Sequence, residues 1–242
     1  MSQPIYAIGD IHGQHQDLER VLDLIERDGG KDASVVFLGD YVDRGPDSKA
    51  VVQLLMDGHA QGRNWTPIKG NHDRYLTRFV QNGTVYDTRT RPGLFWLNPR
   101  LGGDKTLLSY GIQAEDGDEI APILAKAQSM VPQDHLDFLE SLPLYHETPD
   151  LLFVHAGVRP GVALNQQEED DLIWIREGFL DHVDPFDKLI VHGHTALDTP
   201  EHAGNRVNLD GGAGYFRPLH AAVFEGRSCW LLSDVGRIPL TP

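Results

Sequence analysis

Asp10 and His12 alternate across Ile11, Asp40 follows the apolar run Val35-Val36-Phe37-Leu38, Asn71 and His72 stand together behind Gly70, and His155 and His194 each close a short apolar run. On a continuing strand Asp10 and His12 would share a face, and the Asp40 carboxylate has two oxygens with which to bridge two ions. This mixed oxygen and nitrogen set, free of sulfur, suits Mn²⁺, Fe or Zn²⁺ better than Ca²⁺, which takes only oxygen. Two such ions, roughly 3.5–4 Å apart, clamp phosphoryl oxygens and lower the pKa of a bridging water for in-line attack, so no protein nucleophile is needed. The expelled alkoxide still needs a proton. His72 is placed to give it, and Asp43, bonded to the other ring nitrogen, would hold His72 protonated. Arg44, beside Asp43, and Arg176 are candidate phosphate clamps, because a guanidinium fork matches phosphate oxygens bidentately.

These residues sit in five segments that occur in order: Gly9-Asp10-Ile11-His12-Gly13, Gly39-Asp40-Tyr41-Val42-Asp43-Arg44-Gly45, Gly70-Asn71-His72-Asp73, Val154-His155-Ala156-Gly157 and His192-Gly193-His194-Thr195. One Asp-x-His, or one Asn-His-Asp in a turn, is more often a capped loop than a ligand pair; the ordered set carries the reading. His192 shares a face with His194 if the strand persists, and His194 is the candidate ligand. His15, His59, His135, His146, His182, His202 and His220 have no partner in sequence and read as surface or satisfied core residues. Phe95-Trp96 could line a substrate pocket but reads first as core of an inserted segment, and Glu168-Glu169-Asp170-Asp171 as a solvated helix start.

The elements that must hold these groups follow from hydrophobic period. A strand over Ile5–Ile8 precedes a helix over 17–28, where Leu18, Val21, Leu22 and Ile25 recur at helical spacing before Gly29-Gly30. A strand over 34–38, a helix over 48–58, a strand over 66–68 and a helix from His72 complete a βαβαβ half, which implies parallel strands under covering helices. Glycines and prolines interrupt 83–133, read as an inserted cap within a single domain over 1–242. A helix over 133–142 and a buried strand over Leu151–Val154 follow, then short strands over 188–191, 206–209, 220–224 and 229–232 that look like a different sheet. The expected architecture is an α/β/β/α sandwich of two mixed sheets flanked by helices, with 233–242 trailing along the surface.

With 242 residues, 40% hydrophobic and 24% charged, the chain is of ordinary globular composition and long enough for one large core. Its lone Cys229 excludes an internal disulfide. Met1-Ser2-Gln3-Pro4 runs into the first strand without a basic or long apolar leader, and no apolar run reaches the roughly 20 residues of a spanning helix, so a cytoplasmic chain is expected. A net charge of −15 disfavours nucleic acid and anionic membranes as partners, and a phosphate substrate therefore needs local reversal of the field by metals and arginines.

The five segments resemble the metal-dependent phosphoprotein phosphatase family within the calcineurin-like metallophosphoesterases. The likeness extends to 102–111, 155–161, 171–177 and Asn208-Leu209-Asp210, which look like the bacterial serine/threonine phosphatase subgroup, and covers about 5–232. The resemblance implies the double-sheet sandwich, one metal held by Asp10, His12 and Asp40, and a second held by Asp40, Asn71, His155 and His194. Mn²⁺ is the first choice for both, with Fe or Zn²⁺ also suited. It implies His72 with Asp43 as the acid pair, and Arg44 and Arg176 on phosphate. The expected activity is hydrolysis of phosphoserine and phosphothreonine. The alternatives are a symmetrical dinucleoside polyphosphate hydrolase, which shares all five segments, and a catalytically silent metal-binding module. The chain departs from the pattern at Asp73, where Glu is usual, at Asp210-Gly211-Gly212-Ala213 in place of Asp-Thr-Gly-Ala, and at Phe216-Arg217 in place of a Gly-Gly pair. These departures bear on the substrate rather than on the metals.

Overall fold

The computed structural model describes residues 3–242. Strand β1 (Ile5–Ile8) leads through helix α1 (His15–Gly29) to β2 (Ser34–Phe37), then through α2 (Ser48–Ala60) to β3 (Trp65–Pro67) and α3 (Asn71–Asn82). The side chains of β1 and β2 explain the layering. Tyr6, Ile8, Val35 and Phe37 point into the helices, where the α1 stripe of Leu18, Val21, Leu22 and Ile25 meets them. The intervening Ala7, Val36 and Leu38 face the other way, into the core between the sheets.

The interrupted region folds as α4 (Gly103–Ser109) and α5 (Ile120–Met130) on either side of turns, followed by α6 (Gln133–Ser141). Trp96, Leu97, Leu107, Ile112, Ile123 and Ala127 share one continuous core with α1–α3, so 83–133 packs into the helical layer.

The second sheet is built from β4 (Tyr145–Glu147), β5 (Leu151–Val154), β6 (Leu189–His192), β7 (Glu201–His202) and β8 (Arg206–Asn208), in the order β4-β5-β6-β8-β7. Leu151 and Phe153 meet the first sheet, while Leu152 and Val154 turn out beneath α7 (Glu169–Trp174) with Leu172, Ile173 and Phe179. The pairs β1–β2, β2–β3, β5–β6 and β6–β8 are parallel, and the remaining pairs of both sheets are antiparallel. The result is the expected sandwich of two mixed sheets between helical layers.

Two expectations need correction. The late strands β9 (Ala221–Glu225) and β10 (Ser228–Ser233) do not extend the second sheet; β9 pairs antiparallel with β1 and, with β11 (Gly236–Pro239), they complete the first, in the order β11-β10-β9-β1-β2-β3. Nor does 233–242 merely trail, because β11 (Gly236–Pro239) pairs with β10, and Arg237 reaches Asp28 at 2.8 Å. Short strands carry no mark of which sheet they join; pairing is decided by burial of Ala222 and Phe224 between the sheets.

The acidic run begins α7 as expected, with Glu168 as the N-cap, but it is only partly solvated. Asp170 takes Arg74 Nη1 at 2.6 Å and buried Asp171 takes Arg159 Nη2 at 2.6 Å, while Arg74 Nη2 also holds Asp87 at 2.7 Å. This network ties α3, the inserted segment and α7 together on the flank of the site. Among the described residues no helix is long and apolar enough to cross a membrane.

Candidate metal centre

All five segments lie at the C-terminal ends of parallel strands, β1, β2 and β3 of one sheet and β5 and β6 of the other, the side of an open α/β sheet where ligands sit. Tight loops there bend the backbone hard. His12, Asp40, Asp43, Arg44 and His194 all have positive φ, between 48° and 74°, as does Phe216 at 60°; they are the six non-glycine residues of that kind among the described ones. Such left-handed backbone costs of order 1–3 kcal/mol per residue and collects at functional sites.

Asp40 lies between two histidines. Its Oδ2 is 3.6 Å from His12 Nε2 and its Oδ1 is 3.4 Å from His155 Nε2. His12 Nδ1 donates to Val42 O at 2.8 Å and His155 Nδ1 to Leu38 O at 2.7 Å, which turns the Nε2 lone pair of each ring inward. His155 Nε2 then faces Asn71 Oδ1 at 2.9 Å, so three acceptors from His155, Asn71 and Asp40 look at one another with no donor among them. Buried His194 Nε2 has no partner at all. One nitrogen or oxygen each from His12, Asp40 and His72, and one each from Asp40, His155 and His194, lie within 4.8 Å of one another. Asp10 is fixed by the His194 N–H, 3.1 and 3.0 Å from its two oxygens.

Burial holds His12 and His194 well below the usual imidazole range and so keeps them neutral, the form that binds a metal. Burial, with Asp210 and Asp40 nearby, pushes Asp10 up. Clustered carboxylates and inward lone pairs make a site that a divalent cation would relieve, and the donor set fits one.

Arg44 already supplies part of that relief. Its Nη1 is 2.6 Å from His12 Nε2 and its Nη2 is 3.1 Å from His72 Nε2. Its guanidinium also lies 4.9 Å from the centre of the Tyr215 ring. Arg176 Nη2 donates to His194 O at 3.3 Å and feels Asp40, Asp10, Tyr215 and Arg44. No ion pair joins it to Glu177 among the described residues. The structure thus brings all ten sequence-predicted residues to one place.

The Asp43–His72 pair forms, with Asp43 Oδ2 2.6 Å from His72 Nδ1. Burial opposes the expectation that Asp43 holds His72 protonated. Both groups are buried, and loss of hydration is the chief cause that pushes His72 down to about 3 and Asp43 up to about 7. Donors shared with the rest of the fold stabilise the carboxylate: Trp96 Nε1 donates to Oδ2 at 2.9 Å and Thr106 Oγ1 to Oδ1 at 2.7 Å. Trp96 is therefore core and site support together.

Sequence reasoning missed two further carboxylates. Asp73 Oδ2 accepts the N–H groups of Asp40 and Gly70, each at 2.9 Å, and Oδ1 accepts that of Tyr41 at 2.8 Å. Burial first and then Asp40 push its pKa well up against the pull of these three N–H groups, while the hydrogen bonds themselves, all donated to its two oxygens, are those a carboxylate accepts. The signal was available, since an acidic residue at the third position of a helix caps its start. Asp210, near Asp10 and Asp40, accepts the Gly212 N–H at 2.9 Å. Trp96 and Thr106 left no such trace, because their role appears only once the inserted segment is folded.

The comparisons with known proteins agree with this geometry. A family model described as calcineurin-like phosphoesterase matches residues 3–224. The symmetrical bis(5'-nucleosyl)-tetraphosphatase of Nitrosomonas europaea is 28% identical over 163 residues, 67% of this chain and 48% of that protein. The protein of the same name from Acidovorax sp. is 34% identical over 160 residues, 64% of this chain and 44% of that one. The chain spans about half the length of the curated relatives it matches. Among solved structures, one provisionally named a diadenosine tetraphosphatase superposes with a TM-score of 0.67 at 23% identity, over 96% of this chain and 94% of that one. A cold-active protein-tyrosine phosphatase from Shewanella sp. gives 0.65 at 16% identity, over 100% of this chain and 81% of that one. At these identities the structural matches speak for the fold alone.

Proposed function

Because the chain belongs to the calcineurin-like phosphoesterase family, matched over residues 3–224, we propose that it is a metal-dependent phosphoester hydrolase whose substrate is a symmetrical dinucleoside polyphosphate. The observation that carries the hydrolase reading is the set of inward acceptors, His12 Nε2, Asp40, Asn71 Oδ1, His155 Nε2 and His194 Nε2, brought together from both sheets, with His155 Nε2 facing Asn71 Oδ1 and Asp40 and with His194 Nε2 left without a partner. The names of the curated relatives support the dinucleotide over the phosphoprotein substrate that the family resemblance first suggested.

In this reading Asp10, His12, Asp40, Asn71, His155 and His194 hold two divalent ions, Mn²⁺ foremost. Bound there, the ions supply Lewis acidity and a water whose pKa is lowered toward neutrality. Arg44 and Arg176 take the phosphate oxygens. Engaging a phosphate draws the Arg44 fork from His72 Nε2, which then takes up a proton from solvent and passes it to the leaving oxygen. Asp43 fixes the ring through Nδ1 at 2.6 Å. The same reading takes the chain as one metallophosphoesterase domain with 83–133 as its substrate-side wall.

The test is kcat/KM of the Mn²⁺-loaded protein on diadenosine tetraphosphate and on a phosphothreonine peptide, with Asp10→Asn as control. A hundredfold preference for the dinucleotide, about 2.7 kcal/mol at the transition state, with two ADP as products, is expected. Equal or greater activity on the peptide would return the role to a protein phosphatase. Undiminished activity of the chelated protein would remove the metal from the mechanism.

A further inference from the structure

Of the six non-glycine residues with positive φ, five belong to the site and the sixth is Phe216, at 60°. A bulky residue in left-handed backbone is a costly outlier, and in the related pattern glycines stand at this pair of positions. Phe216 is also 77% exposed, so its ring recovers nothing by burial. The turn around it is fixed on both sides: the Phe216 N–H donates to Ala213 O at 2.9 Å, Gln14 Nε2 donates to the same oxygen at 3.1 Å, and Arg217 binds Leu197 O at 3.0 Å and Asp198 at 2.9 Å.

The turn also presses on the site. A Cβ at Gly214 would meet His12 Cδ2 at 2.5 Å and Arg44 Nη1 at 3.0 Å. Tyr215, 55% exposed, lies with its ring 4.9 Å from the Arg44 guanidinium. Phe216 is thus an exposed, unpaired ring at the next position along from the tyrosine that borders the phosphate-binding arginine. Among the described residues no aromatic partner covers it.

We propose that Phe216 is a specificity residue of this chain, a face on which a nucleobase of the substrate stacks while its phosphates lie on Arg44. The proposal rests on the dinucleotide reading above. Stacking needs a flat exposed face near the phosphates and accepts any base, which an uncovered ring on a backbone held at Ala213 provides and a Gly-Gly pair does not.

The test compares Phe216→Gly and Phe216→Tyr with the natural chain, all loaded with Mn²⁺, by calorimetric titration with ADP and with inorganic pyrophosphate, which lacks a base. The glycine variant is expected to bind ADP about tenfold more weakly, about 1.4 kcal/mol, to bind pyrophosphate unchanged, and to melt no lower than the natural chain because strain is relieved. The tyrosine variant is expected to keep ADP affinity. Unchanged ADP affinity in Phe216→Gly, or equal loss of both ligands, overturns the proposal. Turnover of diadenosine tetraphosphate by the natural chain is measured alongside: its absence sinks the substrate reading, whereas turnover with an unchanged ADP affinity in Phe216→Gly sinks only the role of Phe216.

Discussion

Replacing Asp73 by Asn should unfold the protein far more easily although only one atom changes. Asp73 receives three backbone N–H groups, from Asp40, Gly70 and Tyr41, at 2.8–2.9 Å in a fully buried setting. Hydrogen bonds to a charged group contribute about 1.5–3 kcal/mol net, and neutral ones about 0.5–1.5. With the amide oxygen in the place of Oδ2, the bonds from Asp40 and Gly70 survive but each loses about 1 kcal/mol. The amide nitrogen then meets the Tyr41 N–H donor to donor, which leaves a buried N–H unsatisfied at about 2 kcal/mol. The sum is about 4 kcal/mol, or roughly 8–16 °C in Tm for a chain of this length. Asp73→Ala, which strands all three N–H groups, should cost roughly 3–9 kcal/mol, much of the about 5–15 kcal/mol that a native domain has. Urea unfolding and thermal melts of the metal-free proteins measure this directly. Because the same three groups shape the loops of Asp40 and Asn71, Mn²⁺ affinity should fall in parallel. An Asp73→Asn protein melting within about 2 °C of the natural chain would refute the account.

Three further outcomes follow from the geometry. Arg44→Lys replaces a fork that reaches His12 Nε2 and His72 Nε2 at 2.6 and 3.1 Å by a single nitrogen, so KM for phosphoester should rise at least about tenfold, or 1.4 kcal/mol; an unchanged KM would take Arg44 off the phosphate. Trp96→Phe removes the Nε1 donor from Asp43 and should cost about 1–3 kcal/mol in urea unfolding together with a fall in kcat; a variant as stable and active as the natural chain would show that Thr106 alone suffices. Burial lowers the pKa of His135, whose ring is 2.9 Å from Tyr110 Oη and 3.0 Å from Gln53 Oε1. The unfolded chain then binds the extra proton first, so this stability is present above about pH 6.5 and is lost as pH falls below it toward the folded pKa. In His135→Gln the decline between about pH 7 and 5 should shrink; an identical decline would assign it to other histidines.

The first half of the fold was legible because period and breakers coincide there. The stripe Leu18, Val21, Leu22 and Ile25 and the alternation of Tyr6 and Ile8 against Ala7 state both the element and its buried face. Boundaries moved by a residue or two, as at β3, which runs Trp65–Pro67 rather than 66–68. The two-residue β7 and three-residue β4 are too short for any period to register. The site read well because its chemistry needs particular side chains, and each of these sits where an apolar run stops. Its supports in the inserted segment did not, because Trp96 and Thr106 act through packing distances that no spacing encodes. The charge state of the His72–Asp43 pair was not legible, because a sequence shows that a carboxylate is near but not how dry the pair will be.

The position of β1 has a consequence in time. This strand lies at the heart of its sheet, with β2 on one side and β9 on the other, so that Ile5 pairs with both Ser34 and Phe224. During synthesis the first neighbour emerges almost at once, but the second waits for Ala221–Glu225, roughly 10–40 s at about 5–20 residues per second. Throughout that interval one side of Ile5–Ile8 is a bare ladder of N–H and C=O groups, open to pairing with any passing strand, and Asp10 and Asp40 lack His155 and then His194. That side of β1 stays open until Ala221–Glu225 has emerged, and β9 is the latch that closes the first sheet.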